Sequence, residues 1–135
     1  MRRRTGLTLA VATLAVAVGL GAGGAAAEEP SDAAVKAYVN HDYQAALRLL
    51  RPLANDGDDR AEFVLAMMYY KGEGVPQSYA AALELYRLAA KQGHPGAQHD
   101  LGMLYENGQG VPQNYVRAHM WYNIAASYGR NWVTP

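Results

Sequence analysis

The sequence predicts an all-α protein, a right-handed α/α solenoid of about two and a half to three helix-turn-helix repeats with a period of 36 residues. Three observations carry that expectation. Residues 59–94 laid over residues 95–130 without a gap agree at 15 of 36 positions. The run Gly74-Val75-Pro76-Gln77 recurs as Gly110-Val111-Pro112-Gln113, and Gly57, Gly93 and Gly129 fall one period apart. A fixed period of this length marks an array in which each helix pair buries its apolar face against the next.

Composition narrows the function classes before any element is placed. A chain of 135 residues allows one modest domain. With no cysteine it has no disulfide, thiol nucleophile, thiolate metal ligand or lipid-modified cysteine. Twelve basic residues balance twelve acidic ones and no basic block lies within the repeats. No phosphate-tracking surface is expected, so no nucleic acid is expected as a partner.

The chain opens with Arg2, Arg3 and Arg4, then an uncharged apolar run of 14 residues, Leu7 to Leu20, too short for an ordinary membrane span. Small residues and Ala25-Ala26-Ala27 follow, so residues 1–27 read as a signal peptide cleaved before Glu28. The alternative is an uncleaved anchor over Leu7 to Ala27, which the glycine-rich second half makes a poor helix. Cleavage leaves no stable membrane span and nine basic against twelve acidic residues. The expected location is the periplasm or the exterior, where a domain without cysteines is held by packing alone.

Residues 28–58 read as a degenerate first helical pair, with Ser31 capping a short helix to Val39 and Asn40-His41 as a compressed loop. In the repeats 59–94 and 95–130 the first helix carries Ala61, Leu65 and Tyr69, or Ala97, Leu101 and Tyr105, at i, i+4 and i+8. Gly72, Gly74 and Pro76, and likewise Gly108, Gly110 and Pro112, then specify a turn, since proline leaves a helix interior and glycine admits positive φ. Asp42, Ser78 and Asn114 share one register and can each cap a second helix. Those helices are expected to end at Gly57, Gly93 and Gly129, leaving 131–135 as a tail.

The pattern Ala-x-x-x-Leu-(Gly/Ala)-x-x-Tyr-x-x-Gly-x-Gly-Val-Pro-Gln, with Tyr79, Ala82, Tyr86, Ala89, Ala90 and Gly93 at fixed offsets and their counterparts one period later, resembles the Sel-one repeat, an α/α relative of the tetratricopeptide repeats. The resemblance covers nearly all of residues 31–130. It implies a scaffold that binds another macromolecule, often at the bacterial envelope, without a fixed catalytic residue. Some secreted members are associated with β-lactamase or penicillin-binding activity, but they are cysteine-rich, and this chain has neither their cysteines nor a Ser-x-x-Lys nucleophile motif.

The polar residues offer little chemistry of their own. His94 and His99 are five residues apart with Pro95 between them, about 140° around a helix, and so miss the spacing of a helical zinc pair. Asp56, Asp58 and Asp59 read as a solvated turn favouring the next helix N-terminus. No cofactor, metal site or catalytic residue is expected.

Partner-binding candidates come from comparing the repeats. Opposite the packed face of the first helix stand Phe63, Met67 and Tyr70, and one period later His99, Met103 and Glu106. This stripe either lines a binding surface for an unidentified envelope protein or packs on the preceding repeat. The last helix adds Trp121 with Ile124 and Tyr128, and the tail adds Trp132. The terminal repeat can be covered by Trp132 and Val133 folding back, by a second copy or by a partner's helix, and because folding back covers the least area the expected contact through 115–135 is self-association or partner docking. The competing class is an envelope glycan or peptidoglycan binder using Tyr70, Tyr105, Trp121 and Trp132 as ring platforms.

Overall fold

The computed structural model describes residues 27–130. The signal segment, apart from Ala27, and the tail 131–135 with Trp132 therefore lie outside the described residues. Within them the elements are α1 (Pro30–Val39), α2 (Tyr43–Asn55), α3 (Asp59–Lys71), α4 (Tyr79–Lys91), α5 (Pro95–Asn107) and α6 (Tyr115–Arg130). Consecutive helices pack as the hairpins α1–α2, α3–α4 and α5–α6, and α2 on α3 and α4 on α5 join one hairpin to the next. The described residues thus form an all-α array of about three repeats.

The core follows the repeat logic. Leu50, Val64, Leu65 and Met68 fill one cluster between the first and second pairs. Tyr86, Leu101, Leu104 and Tyr105 fill another between the second and third. Ala46, Ala82 and Ala118 share one register and are all fully buried, because a single methyl lets neighbouring helices approach closely. Leu50 and Met68 are fully buried as well, and side chains of this size contribute about 2–5 kcal/mol relative to alanine.

Helix starts obey the register read from the sequence. Asp42 Oδ1 accepts from the Ala45 N–H at 3.1 Å, Ser78 Oγ from the Ala81 N–H at 3.1 Å, and Asn114 Oδ1 from the Arg117 N–H at 2.9 Å. Each bond satisfies one of the donors that a helix N-terminus leaves unpaired, worth about 1 kcal/mol. The first helix differs from expectation. It begins at Pro30, one residue before Ser31, with Glu29 at the cap position and no side-chain capping bond. Proline's fixed φ and missing N–H suit the first helical position, so no hydroxyl cap is needed there. The following compressed loop does place strain, since His41 has φ 62°.

Gly72 and Gly108 end α3 and α5 in the left-handed region, and Gly74 and Gly110 lie there too. Pro76 and Pro112 follow them within the α3–α4 and α5–α6 connections. The recurring glutamine has a role the sequence does not announce: Gln77 Nε2 donates to the Tyr70 carbonyl at 3.0 Å and Gln113 Nε2 to the Glu106 carbonyl at 2.9 Å. These satisfy carbonyls that the last turn of α3 and α5 leaves free.

Two of the three second-helix endings behave as read. Gly57 and Gly93 have φ 87° and 96° and lead into Asp58 and His94, which cap α3 and α5. The third does not, because α6 runs through Gly129 to Arg130. The register held by Asp58 and His94 carries an arginine at 130, a residue with no acceptor to cap another helix.

Candidate functional site

The stripe Phe63, Met67 and Tyr70 lies on α3, a helix sandwiched on two sides. Ala61, Glu62, Val64, Leu65, Ala66 and Met68 are all buried on it. Residues buried around so much of the circumference leave no clean opposite face, and this corrects the expectation of an exposed stripe. Phe63 and Met67 are half-buried and touch both core clusters. The Phe63 ring stacks on His94 at 4.4 Å and meets Tyr86 at 5.9 Å. Tyr70 is half-buried against Tyr79, with ring centroids 5.2 Å apart, and its hydroxyl donates to Gln109 Oε1 at 3.1 Å. Phe63 and Met67 therefore pack on the preceding repeat as well as on the following one, and Tyr70 packs on α4 and the next repeat.

The second copy of the stripe is more open. His99 and Glu106 are exposed and Met103 is half-buried. His99 Nδ1 lies 3.1 Å from Asp100 Oδ1, and its ring sits 5.2 Å from Tyr122. The Tyr122 hydroxyl donates to the Glu106 carboxylate. Burial first, and then that carboxylate, push the Tyr122 hydroxyl up to about 12. His99 and Glu106 are therefore brought together through one ring on α6, whereas Phe63 and Tyr70 are tied down separately.

Trp121 is half-buried against the second cluster. Beside it α6 exposes Val116, Met120, Ile124 and Tyr128. Of the rings considered as glycan platforms, Tyr105 is 6% exposed and Tyr70 and Trp121 are half-buried, so these three are spent on packing.

Several polar roles become visible only in three dimensions. His94 caps α5, its Nδ1 accepting from the Ala97 N–H at 3.1 Å. Its register with Asp58, which caps α3 through the Ala61 N–H at 3.0 Å, was the available signal. Glu62 is 3% exposed and accepts from Gln92 Nε2 at 2.7 Å. Burial raises its carboxyl above the ordinary value, the Gln92 bond opposes this, and Asp59 and Asp58 add to it. Glu73 receives the Tyr38 hydroxyl at 2.8 Å and the Tyr43 hydroxyl at 3.0 Å, linking α1 and α2 to the α3–α4 turn. Among the described residues no group of three or more His, Cys, Asp or Glu is placed to hold a metal. No described helix is long and apolar enough to cross a membrane.

The Sel1 repeat model matches residues 36–58, 59–94 and 95–129, the second and third matches spanning the hairpins α3–α4 and α5–α6 and the first running from within α1 through α2. The chain belongs to the Sel1 repeat family. Among solved structures, a Sel1 repeat protein from Oxalobacter formigenes is 30% identical, with a TM-score of 0.71 over 76% of this chain and 41% of its own. The protective antigen c5321 of uropathogenic Escherichia coli, which displays an SLR fold, is 34% identical, with a TM-score of 0.67 over 73% of this chain and 23% of its own. The chain therefore spans less than half the length of either. No curated protein matches it. Sel1 repeats generally mediate protein–protein interaction and are typically non-catalytic.

Proposed function

We propose that this Sel1 repeat chain is a non-catalytic protein-interaction scaffold that is exported and works in the bacterial cell envelope. The observation that carries the interaction reading is the outer face of α6. Val116, Met120, Ile124 and Tyr128 stand four residues apart and are 80%, 43%, 38% and 51% exposed. On α4 the same register holds Ala80, Glu84, Leu88 and Gln92, only one of them a large apolar residue. A contiguous apolar strip concentrated on one repeat is how a soluble surface presents an interaction face. Export is supported by the arginine-led apolar segment and the small-residue site before Glu28.

Photo-cross-linkers placed at Val116 and at Met120 in cells test the surface. The reading expects a discrete adduct that Ile124→Glu removes without lowering the melting temperature. An adduct of twice the chain mass identifies a second copy as the occupant. No adduct above that from a cross-linker at exposed Arg48 overturns the assignment. Intact mass of the exported protein tests the location separately, and a species starting at Glu28 in the periplasmic fraction is expected. Retention of residues 1–27 in a membrane fraction replaces the soluble reading with an anchored one.

A further inference from the structure

The repeats place one tyrosine in two environments. Tyr69 and Tyr105 share a register, yet Tyr105 is buried at 6% while Tyr69 is only half-buried. The difference lies on the second helix of each pair. Arg117 on α6 sets its guanidinium 5.8 Å from the centre of the Tyr105 ring, and Trp121 packs beside it. At the equivalent positions α4 carries Ala81 and Leu85. The smaller residues leave an open groove of about 440 Å³ between α2 and α4, with Leu65 and Tyr69 on its floor and Leu85 and Leu88 on its wall. Leu88 on α4 is a large apolar residue 49% exposed.

The rim differs in charge as well. Glu84 lines the open groove, 66% exposed and 3.3 Å from Arg87, whereas the same register on α6 holds Met120. Glu84 thus brings a carboxylate, paired with Arg87, to the rim beside the position where Ala81 replaces the arginine. Arg51 also lines the groove, but its register is held by Arg87 in the next repeat, where Arg117 still reaches Tyr105. In that repeat Arg87, paired with Glu84, coexists with the Arg117 guanidinium over the ring.

We propose that this groove receives an arginine side chain from an exposed segment of a protein partner. The guanidinium lies on the Tyr69 ring within reach of Glu84, as Arg117 lies on Tyr105, and the arginine methylenes cover Leu65, Leu85 and Leu88. A planar, weakly hydrated guanidinium suits an aromatic floor better than an ammonium does. The assignment rests on the interaction-scaffold reading and names one partner chemistry for it.

The probe is the blocked tripeptide acetyl-Gly-Arg-Gly-amide, with its citrulline counterpart as the neutral isostere, titrated into the full chain and followed by NMR. The arginine peptide is expected to bind at least fivefold more tightly than the citrulline peptide, with shifts centred on Tyr69, Leu85 and Leu88. Ala81→Arg fills the groove from within and removes those shifts at an unchanged melting temperature. Should Ala81→Arg fail to fold, Tyr69→Leu reports the same loss. Equal binding of the two peptides, or binding untouched by Ala81→Arg or Tyr69→Leu, overturns the proposal. If the α6 cross-link described above survives while the tripeptide ignores the groove, the scaffold reading stands and only the groove assignment falls.

Discussion

Gly110 rests against the backbone of Tyr79, so closely that a Cβ built on the glycine would lie 2.7 Å from the Tyr79 carbonyl oxygen. The same contact one period earlier sets Gly74 against Tyr43, where a Cβ would lie 2.7 Å from the Tyr43 Cβ. The turn of each repeat therefore docks on the first residue of the second helix in the preceding pair. The invariance of the glycine within this chain reflects packing between repeats as much as its φ of 75°.

Gly110→Ala is accordingly expected to cost about 2–4 kcal/mol, since left-handed strain and a backbone clash add. Gly57→Ala is the control, because Gly57 has φ 87° but open space around it, and only the strain of about 1–2 kcal/mol applies. Urea unfolding measures both. Equal losses would show that the close approach to Tyr79 carries no energy.

His94 combines a cap with a stack, accepting the Ala97 N–H and lying on the Phe63 ring. His94→Ala is expected to lose about 1–2 kcal/mol. His94→Asp restores the acceptor found at Asp58 but not the ring, and should recover roughly half of that loss. Full recovery by aspartate would mean that the Phe63 stack contributes nothing.

Glu62 sits where the next repeat has Gln98, whose Nε2 donates to the Ala90 carbonyl at 3.2 Å. A carboxylate cannot make that bond. Because burial raises the folded-state value of Glu62 above 4.5, its contribution to stability is fully present below about pH 4.5 and is lost as pH rises through the folded value. Glu62→Gln removes this loss and keeps an oxygen that accepts from Gln92. It is expected to raise the melting temperature by roughly 2–5 °C at pH 7. The gain should shrink as the pH falls toward 4, and a gain independent of pH would contradict the burial argument.

Glu73 accepts from two tyrosines that belong to the first helical pair, and burial together with this carboxylate raises the Tyr38 hydroxyl. Glu73→Ala leaves both hydroxyls without that acceptor and is expected to cost about 1–2 kcal/mol. Amide exchange should accelerate in α1 and at the start of α2 and stay unchanged in α5 and α6. Uniform acceleration along the chain would mean that the first pair does not open on its own.

The repeat period, the hairpin turns and the caps of the second helices were legible in the residues themselves. Each depends on a few neighbours in the chain: an oxygen before a helix, a glycine and proline after one, alanines at one register. Asp42, Ser78 and Asn114 needed nothing distant to cap their helices. Only the tertiary structure decided which side chains remain available. For Phe63, Met67 and Tyr70 the residues left a binding surface and packing on the preceding repeat both open, because helical periodicity describes one buried face, whereas α3 is covered from two sides. His94 read as an isolated imidazole until the chain reversal at Gly93 set it at the start of α5. Tyr69 and Tyr105 are the same residue in the same register, and what separates them is the helix packed across from each, which presents alanine to one and arginine to the other. Exposure belongs to the pair of surfaces that meet, so it is settled where helices distant in sequence come together.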